Sequence, residues 1–219
     1  MPYSDIEILN RIKKGEINLF REIVEKYKDR SFSLTLRILK NRNEAEDSLQ
    51  ESFLRLYKAI IAGGFEEKAK FSTYFYTIVY NTAIEHYRKY NSKNFNITSI
   101  EINDSFYKDG DELYKNYYES RIDEALIDTA EHGTERNSAI AEIKSIIEKY
   151  VSCVPEHYSV ILNMFYINEL SYDEISKILK IPLGTVKNRI FRAKEKLKEI
   201  LLREFSAQEL LEYLSLIHI

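Results

Sequence analysis

Turn-forming residues are scarce: the 219 residues include 6 glycines and 3 prolines. An all-β protein needs many more, so helices must dominate. There is one cysteine. That excludes an intrachain disulfide framework and any zinc site built from cysteines, and it fits a cytoplasmic, reducing location. Long apolar runs are missing too. The longest, around Val160–Ile167, is interrupted by Asn163 and is far too short to span a bilayer, so no membrane insertion is expected. The N-terminal stretch MPYSDIEILNRIKKGE is charged and amphipathic and lacks the apolar centre of a signal peptide. Neither sign of charge prevails: 32 Lys+Arg stand against 35 Asp+Glu, a net charge of −3. With 44% hydrophobic and 31% charged residues, this is a soluble globular composition and not a wholly disordered one. The four histidines are scattered, and there is no phosphate-binding glycine loop and no nucleophile elbow. Cys153 and His157 lie four apart, but two ligands make no metal site, and Cys153 reads as a core thiol. The expectation is a non-enzyme with no catalytic residues, no metal and no cofactor.

What the chain does have is helical periodicity in two blocks. Ser4 and Glu7 have capping-box spacing, and Leu19, Ile23 and Tyr27 recur at helical intervals. Asn43, with Glu46 three residues on, is read as the cap of a long helix running to about Ile61, where Gly63-Gly64 breaks it. A short polar loop leads to another helix over Thr73–Tyr90. These close an N-terminal domain, 1–92. Residues 93–136 hold 11 acidic residues against 5 basic ones and read as a solvated, flexible linker, 93–137. Helical periodicity returns over 138–206. Pro155 opens one helix, Ser171 and Glu174 form a second capping box over Tyr172–Leu179, and a long helix follows from about Leu183 to Phe205. The expected fold is all-α: two small helical domains joined by an acidic linker, the second a helix-turn-helix. Residues 207–219 form a tail. Its last six, LSLIHI, match a translated sequencing-adapter read-through and are set apart from the fold.

A short helix, a tight turn and a long basic helix make the helix-turn-helix pattern. The long helix carries 7 basic and 3 acidic residues over 183–205. At about 100° per residue, Val186, Ile190, Ala193, Leu197 and Leu201 share the core side. Lys187, Asn188, Phe191 and Arg192 share the other. In a major groove that set makes sense: Lys and Arg read guanine, Asn reads adenine, and an apolar ring meets a thymine methyl. Thr185 and the helix N-terminus suit a phosphate. The plainer reading is a solvated helix with Phe191 in a partner interface. On the helix Thr73–Tyr90, Phe75, Val79, Thr82, Ala83 and His86 share one side. Tyr74, Thr77, Asn81, Glu85 and Arg88 share the other, after a loop holding Lys70 and Phe71. Cations beside aromatics suit a single strand, although aromatics at helical spacing are usually core. On the helix opened at Asn43, Ala45, Leu49, Phe53, Leu56 and Ile60 face inward. Asp47, Gln50, Glu51, Leu54 and Lys58 face outward, an apolar residue in an acidic setting that reads as a docking face for a basic helix.

Three stretches together resemble the bacterial sigma factors of the extracytoplasmic-function (ECF) class. NEAEDSLQESFLRLYKAI is similar to that family's core-polymerase-binding helix. KFSTYFYTIVYNTAIEHYRK is similar to its −10-reading and melting segment. VPEHYSVILNMFYINELSYDEISKILKIPLGTVKNRIFRAKEKL is similar to its −35-reading domain. The resemblance implies a monomer when free that binds core RNA polymerase through the β′ clamp helices and the β flap, together with promoter DNA. Asp47, Gln50, Glu51 and Leu54 would dock on the polymerase. Lys70, Phe71, Tyr74, Asn81, Glu85 and Arg88 would meet the −10 element, with a base flipped into the loop before Tyr74. Thr185, Lys187, Asn188, Phe191 and Arg192 would read the −35 element. An anti-sigma factor is a common further partner in the class, though no residue here identifies one. The family usually has Trp where Tyr74 stands and often Arg near Thr77. A stand-alone helix-turn-helix regulator is the alternative; it would not need the Asp47/Gln50/Glu51 face. A helical adaptor without a DNA role leaves Asn188, Phe191 and Arg192 unexplained.

Overall fold

In the computed structural model, Ser4 closes a capping box on α1 (Asp5–Lys13). Its hydroxyl accepts from the Glu7 amide at 3.3 Å, and its own amide donates to Glu7 Oε2 at 2.8 Å. A single 3-10 turn, Ile17–Leu19, leads into α2 (Phe20–Leu39). The structure describes residues 3–65, 70–92, 149–151 and 153–205. The linker reading and the tail reading therefore fall outside the described residues, as does all of 138–148.

Lys40 ends α2 in the left-handed conformation, φ 54°, and its amide donates to the Leu36 carbonyl at 2.9 Å. That reversal leaves Asn41 extended, and its side chain accepts from the Glu44 amide at 3.2 Å. Helix α3 (Arg42–Ile61) is thus capped by Asn41 and not by Asn43, which lies inside the helix. Of two asparagines two residues apart, the one next to the helix-ending residue wins, because only it has a non-helical backbone. Gly63 terminates α3 with φ +73°, a conformation that favours glycine. Helix α4 (Phe71–Ser92) begins two residues earlier than its periodicity suggests.

The first four helices bury a shared aromatic core. Tyr27 on α2 meets the rings of Phe71, Phe75 and Tyr76 on α4 edge-on, with centroids 5.5, 5.4 and 6.2 Å away. Phe53 on α3 lies 5.0 Å from Phe75. The Tyr27 hydroxyl is satisfied by donating to Asp5 Oδ2 at 2.8 Å, which ties α1 to α2. All five α3 residues assigned inward, Ala45, Leu49, Phe53, Leu56 and Ile60, are buried.

Helix α5 (Glu156–Leu162) follows Pro155, which stands at its N-cap, and widens into one π-helical turn, Asn163–Ile167. Cys153 is exposed, not core, because the chain is already turning there. Helix α6 (Tyr172–Leu179) starts at the expected capping box of Ser171 and Glu174 and ends at Lys180, φ 56°. Helix α7 (Leu183–Glu204) follows Pro182. Val186, Ile190, Ala193, Leu197 and Leu201 are all buried, as their angular positions require. Among the described residues there is no strand, and no helix is long and apolar enough to cross a membrane.

The two helical groups also touch. Asn168 Nδ2 donates to the Arg30 carbonyl at 2.8 Å, Asn163 Nδ2 donates to Ser33 Oγ at 2.8 Å, and Arg30 pairs with Glu169 at 2.8 Å. Asn163 opens the π-helical turn and Asn168 follows it, and both amides reach α2. The seam thus includes α5 and the π-turn against α2, and α6 against the start of α4.

Candidate nucleic-acid interface

On α7 the residues assigned to base reading lie away from the buried row. Asn188 is exposed, and Thr185, Lys187, Phe191 and Arg192 are half-buried. Not all of the helix's positive charge lies on that face. Arg189 is 3% exposed, and the Lys194 ammonium lies over the rings of Phe165 and Tyr166, 5.1 and 5.8 Å from their centroids. Burial pulls Lys194 down to about 8. The charge count found this helix, but it could not say which cations turn inward.

On α4, Tyr74 is half-buried with its ring 5.2 Å from that of Phe65; Asn81 is half-buried; Lys70, Glu85 and Arg88 are exposed. Two of the assigned residues have partners inside the fold. Phe71 is 4% exposed and wedged among Tyr27, Phe65 and Phe75, so its ring is taken up in the core at the start of α4. Its helical spacing from Phe75 was the signal for this. Glu85, which looked anomalous on a DNA-facing side, accepts from Arg55 Nη2 of α3 at 2.6 Å. Its carboxylate serves the helix pair.

The start of α4 is covered by α6. Glu174 is buried, and its two oxygens do different work. Oε2 closes the capping box, accepting from the Ser171 amide at 2.9 Å and the Ser171 hydroxyl at 2.7 Å. Oε1 accepts from Thr73 Oγ1 at 2.9 Å and Ser72 Oγ at 3.4 Å, with Lys70 Nζ 3.8 Å away. Burial pushes the Glu174 carboxyl up, but the Ser171, Thr73 and Lys70 interactions outweigh it and hold the group below the usual range. The capping box was legible in the sequence; the second oxygen's partners, about a hundred residues away, were not.

The outward face of α3 is as expected. Asp47 and Gln50 are exposed, and Leu54 is 60% exposed. Ile61, one face-repeat along, is exposed as well, and Ile17, Phe20, Val24 and Tyr57 line an open groove beside it. Glu51 differs from its neighbours. Its Oε1 accepts from Arg55 Nε at 3.0 Å and Nη2 at 2.6 Å, and its Oε2 lies 2.8 Å from His86 Nε2. His86, assigned to the core side of α4, in fact sits half-buried between Glu51 and Glu44 of α3. Those bonds from His86 and then Arg55 hold Glu51 below the usual carboxylate range. Arg55 is the neighbour of Glu51 that the sequence reading passed over. Its i,i+4 spacing from Glu51 was the available signal. Among the described residues no three His, Cys, Asp or Glu side chains are grouped to hold a metal.

Two family models match this chain. Sigma-70 region 2 covers residues 23–93, and sigma-70 region 4 covers residues 144–197. The ECF RNA polymerase sigma factor SigW of Bacillus subtilis is 34% identical over 191 residues, 87% of this chain and 93% of that protein. The RNA polymerase sigma-H factor of Pseudomonas aeruginosa is 29% identical over 200 residues, 90% of this chain and 94% of that protein. Among solved structures, CnrH in complex with the cytosolic domain of CnrY superposes with a TM-score of 0.56 at 14% identity, covering 92% of this chain and 99% of that one. RpoE in complex with the anti-sigma factor NepR from Bartonella quintana gives 0.52 at 16%, covering 83% and 96%. At those identities the likeness is one of fold.

Proposed function

The chain belongs to the sigma-70 family, in its ECF class, and from that membership we propose how its surfaces share the work of transcription initiation. A sigma factor directs core RNA polymerase to promoters, and the activity is one of binding and strand separation. In our reading, region 2 comprises 1–92, region 4 comprises 138–206, and 93–137 connects them. Asp47, Gln50, Glu51 and Leu54 on α3 dock on the polymerase. Their mix of acid, amide and one bare leucine suits a basic helix with an apolar ridge. Lys70, Tyr74, Asn81 and Arg88 engage the non-template strand of the −10 element, with Phe71 holding the loop from the core side. Lys187, Asn188, Phe191 and Arg192 read the −35 element, and Thr185 with the start of α7 meets a phosphate. Region 2 and region 4 also present surfaces to a regulator, and an anti-sigma protein of the kind bound by RpoE of Bartonella quintana is proposed as a partner.

The observation that carries this reading is the outward face of α3. Asp47, Gln50 and the 60%-exposed Leu54 have no work inside the fold, and a factor that bound DNA alone would not need them. The test is run-off transcription from pooled genomic promoter fragments with core RNA polymerase, with and without the chain ended at Tyr213. Discrete transcripts that need the chain are expected, and their start sites align on two promoter elements. Absence of both transcripts and core binding would overturn the reading in favour of a stand-alone regulator.

A further inference from the structure

A carboxylate on an exposed helix face normally samples several rotamers, and fixing it when a partner arrives costs affinity. Glu51 is already fixed. A carboxylate oxygen accepts at about two lone-pair sites. Oε1 has both engaged by Arg55 Nε and Nη2, at 3.0 and 2.6 Å. Oε2 has one engaged by His86 Nε2, at 2.8 Å. One acceptor site is left, on Oε2. Both holders are themselves held. Arg55 Nη2 also donates to Glu85 Oε2 at 2.6 Å, and His86 Nδ1 lies 3.6 Å from Glu44 Oε2. The chain of contacts runs Glu85, Arg55, Glu51, His86, Glu44, and it crosses three times between α3 and α4.

We infer that His86 is a positioning residue for polymerase docking. With Arg55 it orients the Glu51 carboxylate of α3 so that one oxygen faces a cationic donor on the polymerase. Because His86 and Glu85 belong to α4, the docking carboxylate is tied to the strand-reading helix, and displacing one pulls on the other. The sequence pattern gives no hint of this, since His86 falls on the side of α4 that its periodicity assigns to the core. The inference rests on the reading of Glu51 as a docking residue.

The test measures binding of fluorescently labelled full-length chain to core RNA polymerase at fixed salt. The variants are H86A, H86Q, E51A and H86A/E51A, each with a thermal unfolding curve to confirm folding. Glutamine keeps a neutral N–H donor of similar reach. Expected are a loss of roughly 3- to 10-fold for H86A, recovery to within about 2-fold for H86Q, and a loss at least as large for E51A. No added loss is expected when H86A is placed on E51A, since a residue that acts through another is silent once that other is gone. Wild-type affinity for H86A beside a weakened E51A overturns the inference alone. So does an additive double variant, or an H86Q as weak as H86A. Wild-type affinity for E51A overturns the docking assignment of Glu51 itself.

Discussion

Phe71 and Tyr74 are three residues apart on α4 and do opposite jobs. Phe71 stacks on Phe75 at 6.2 Å inside the core, while Tyr74 is half outside. Phe71→Ala empties a packed site and is expected to cost about 3–5 kcal/mol, read as a large fall in melting temperature. Tyr74→Ala loses the ring contact with Phe65, about 1 kcal/mol. It keeps the fold but loses −10 opening, followed by 2-aminopurine fluorescence in the non-template strand. Equal stability losses would contradict the division. At this scale the sequence was half legible. Every α3 and α7 residue that a period of 3.6 assigned inward is buried, because burial follows angle, although the buried Ser48, Ser52 and Arg189 were not among them. That period did not settle Phe71, because the helix was read as starting at Thr73, two residues too late to include that ring. Nor could it resolve Glu85 and Glu51, because an exposed angle says nothing about a cation reaching over from the next helix.

Among the elements, α6 shows how a local signal can carry a long-range one. Ser171 and Glu174 announce a helix start within four residues, and the structure agrees at both ends of the helix. Glu174 has a second oxygen, and the start of α4 uses it. The pH dependence follows. The folded value of Glu174 lies below the ordinary one near 4.3. Its stabilisation is therefore complete above about pH 4.3 and fades as pH falls through the folded value. Glu174→Gln has no such charge to lose. The gap in melting temperature between the native chain and E174Q should be constant at neutral pH and close below pH 4; a gap constant throughout would refute the role of the charge. The α3 start was less legible. Asn41 and Asn43 are equally good caps in isolation, and the choice depends on where Lys40 turned the preceding helix.

At the scale of the whole molecule, the seam joins the two helical groups through Arg30–Glu169, the two asparagine amides and Glu174. These are groups that water satisfies nearly as well, and the buried apolar side chains of both helical groups form one cluster beside them. The seam also covers Ser72, Thr73 and Lys70 at the head of α4. Arg30→Glu combined with Glu174→Ala is expected to raise the radius of gyration of the free chain in small-angle scattering. It is also expected to raise the affinity of the free chain for single-stranded DNA several-fold. Restoring the ion pair in reverse, with Glu169→Arg added, should partly recover compactness. An unchanged radius would mean that the linker, not the seam, sets the dimensions. None of this was legible beforehand, because nothing in a helical period links Glu174 to Thr73 across a hundred residues.

The inward turn of Arg189 and Lys194 also has a consequence for thermodynamics. Seven cations lie on α7, the helix proposed to read DNA, but counterion release counts only those that meet a phosphate. With two turned away, that helix supplies at most five such contacts. Its share of the slope of log affinity against log salt is then no steeper than about −4.5 at roughly −0.9 per contact. Lys194 releases its proton near pH 8. Raising the pH from 7 to 9 should therefore remove a charge from the helix and leave that slope where it was.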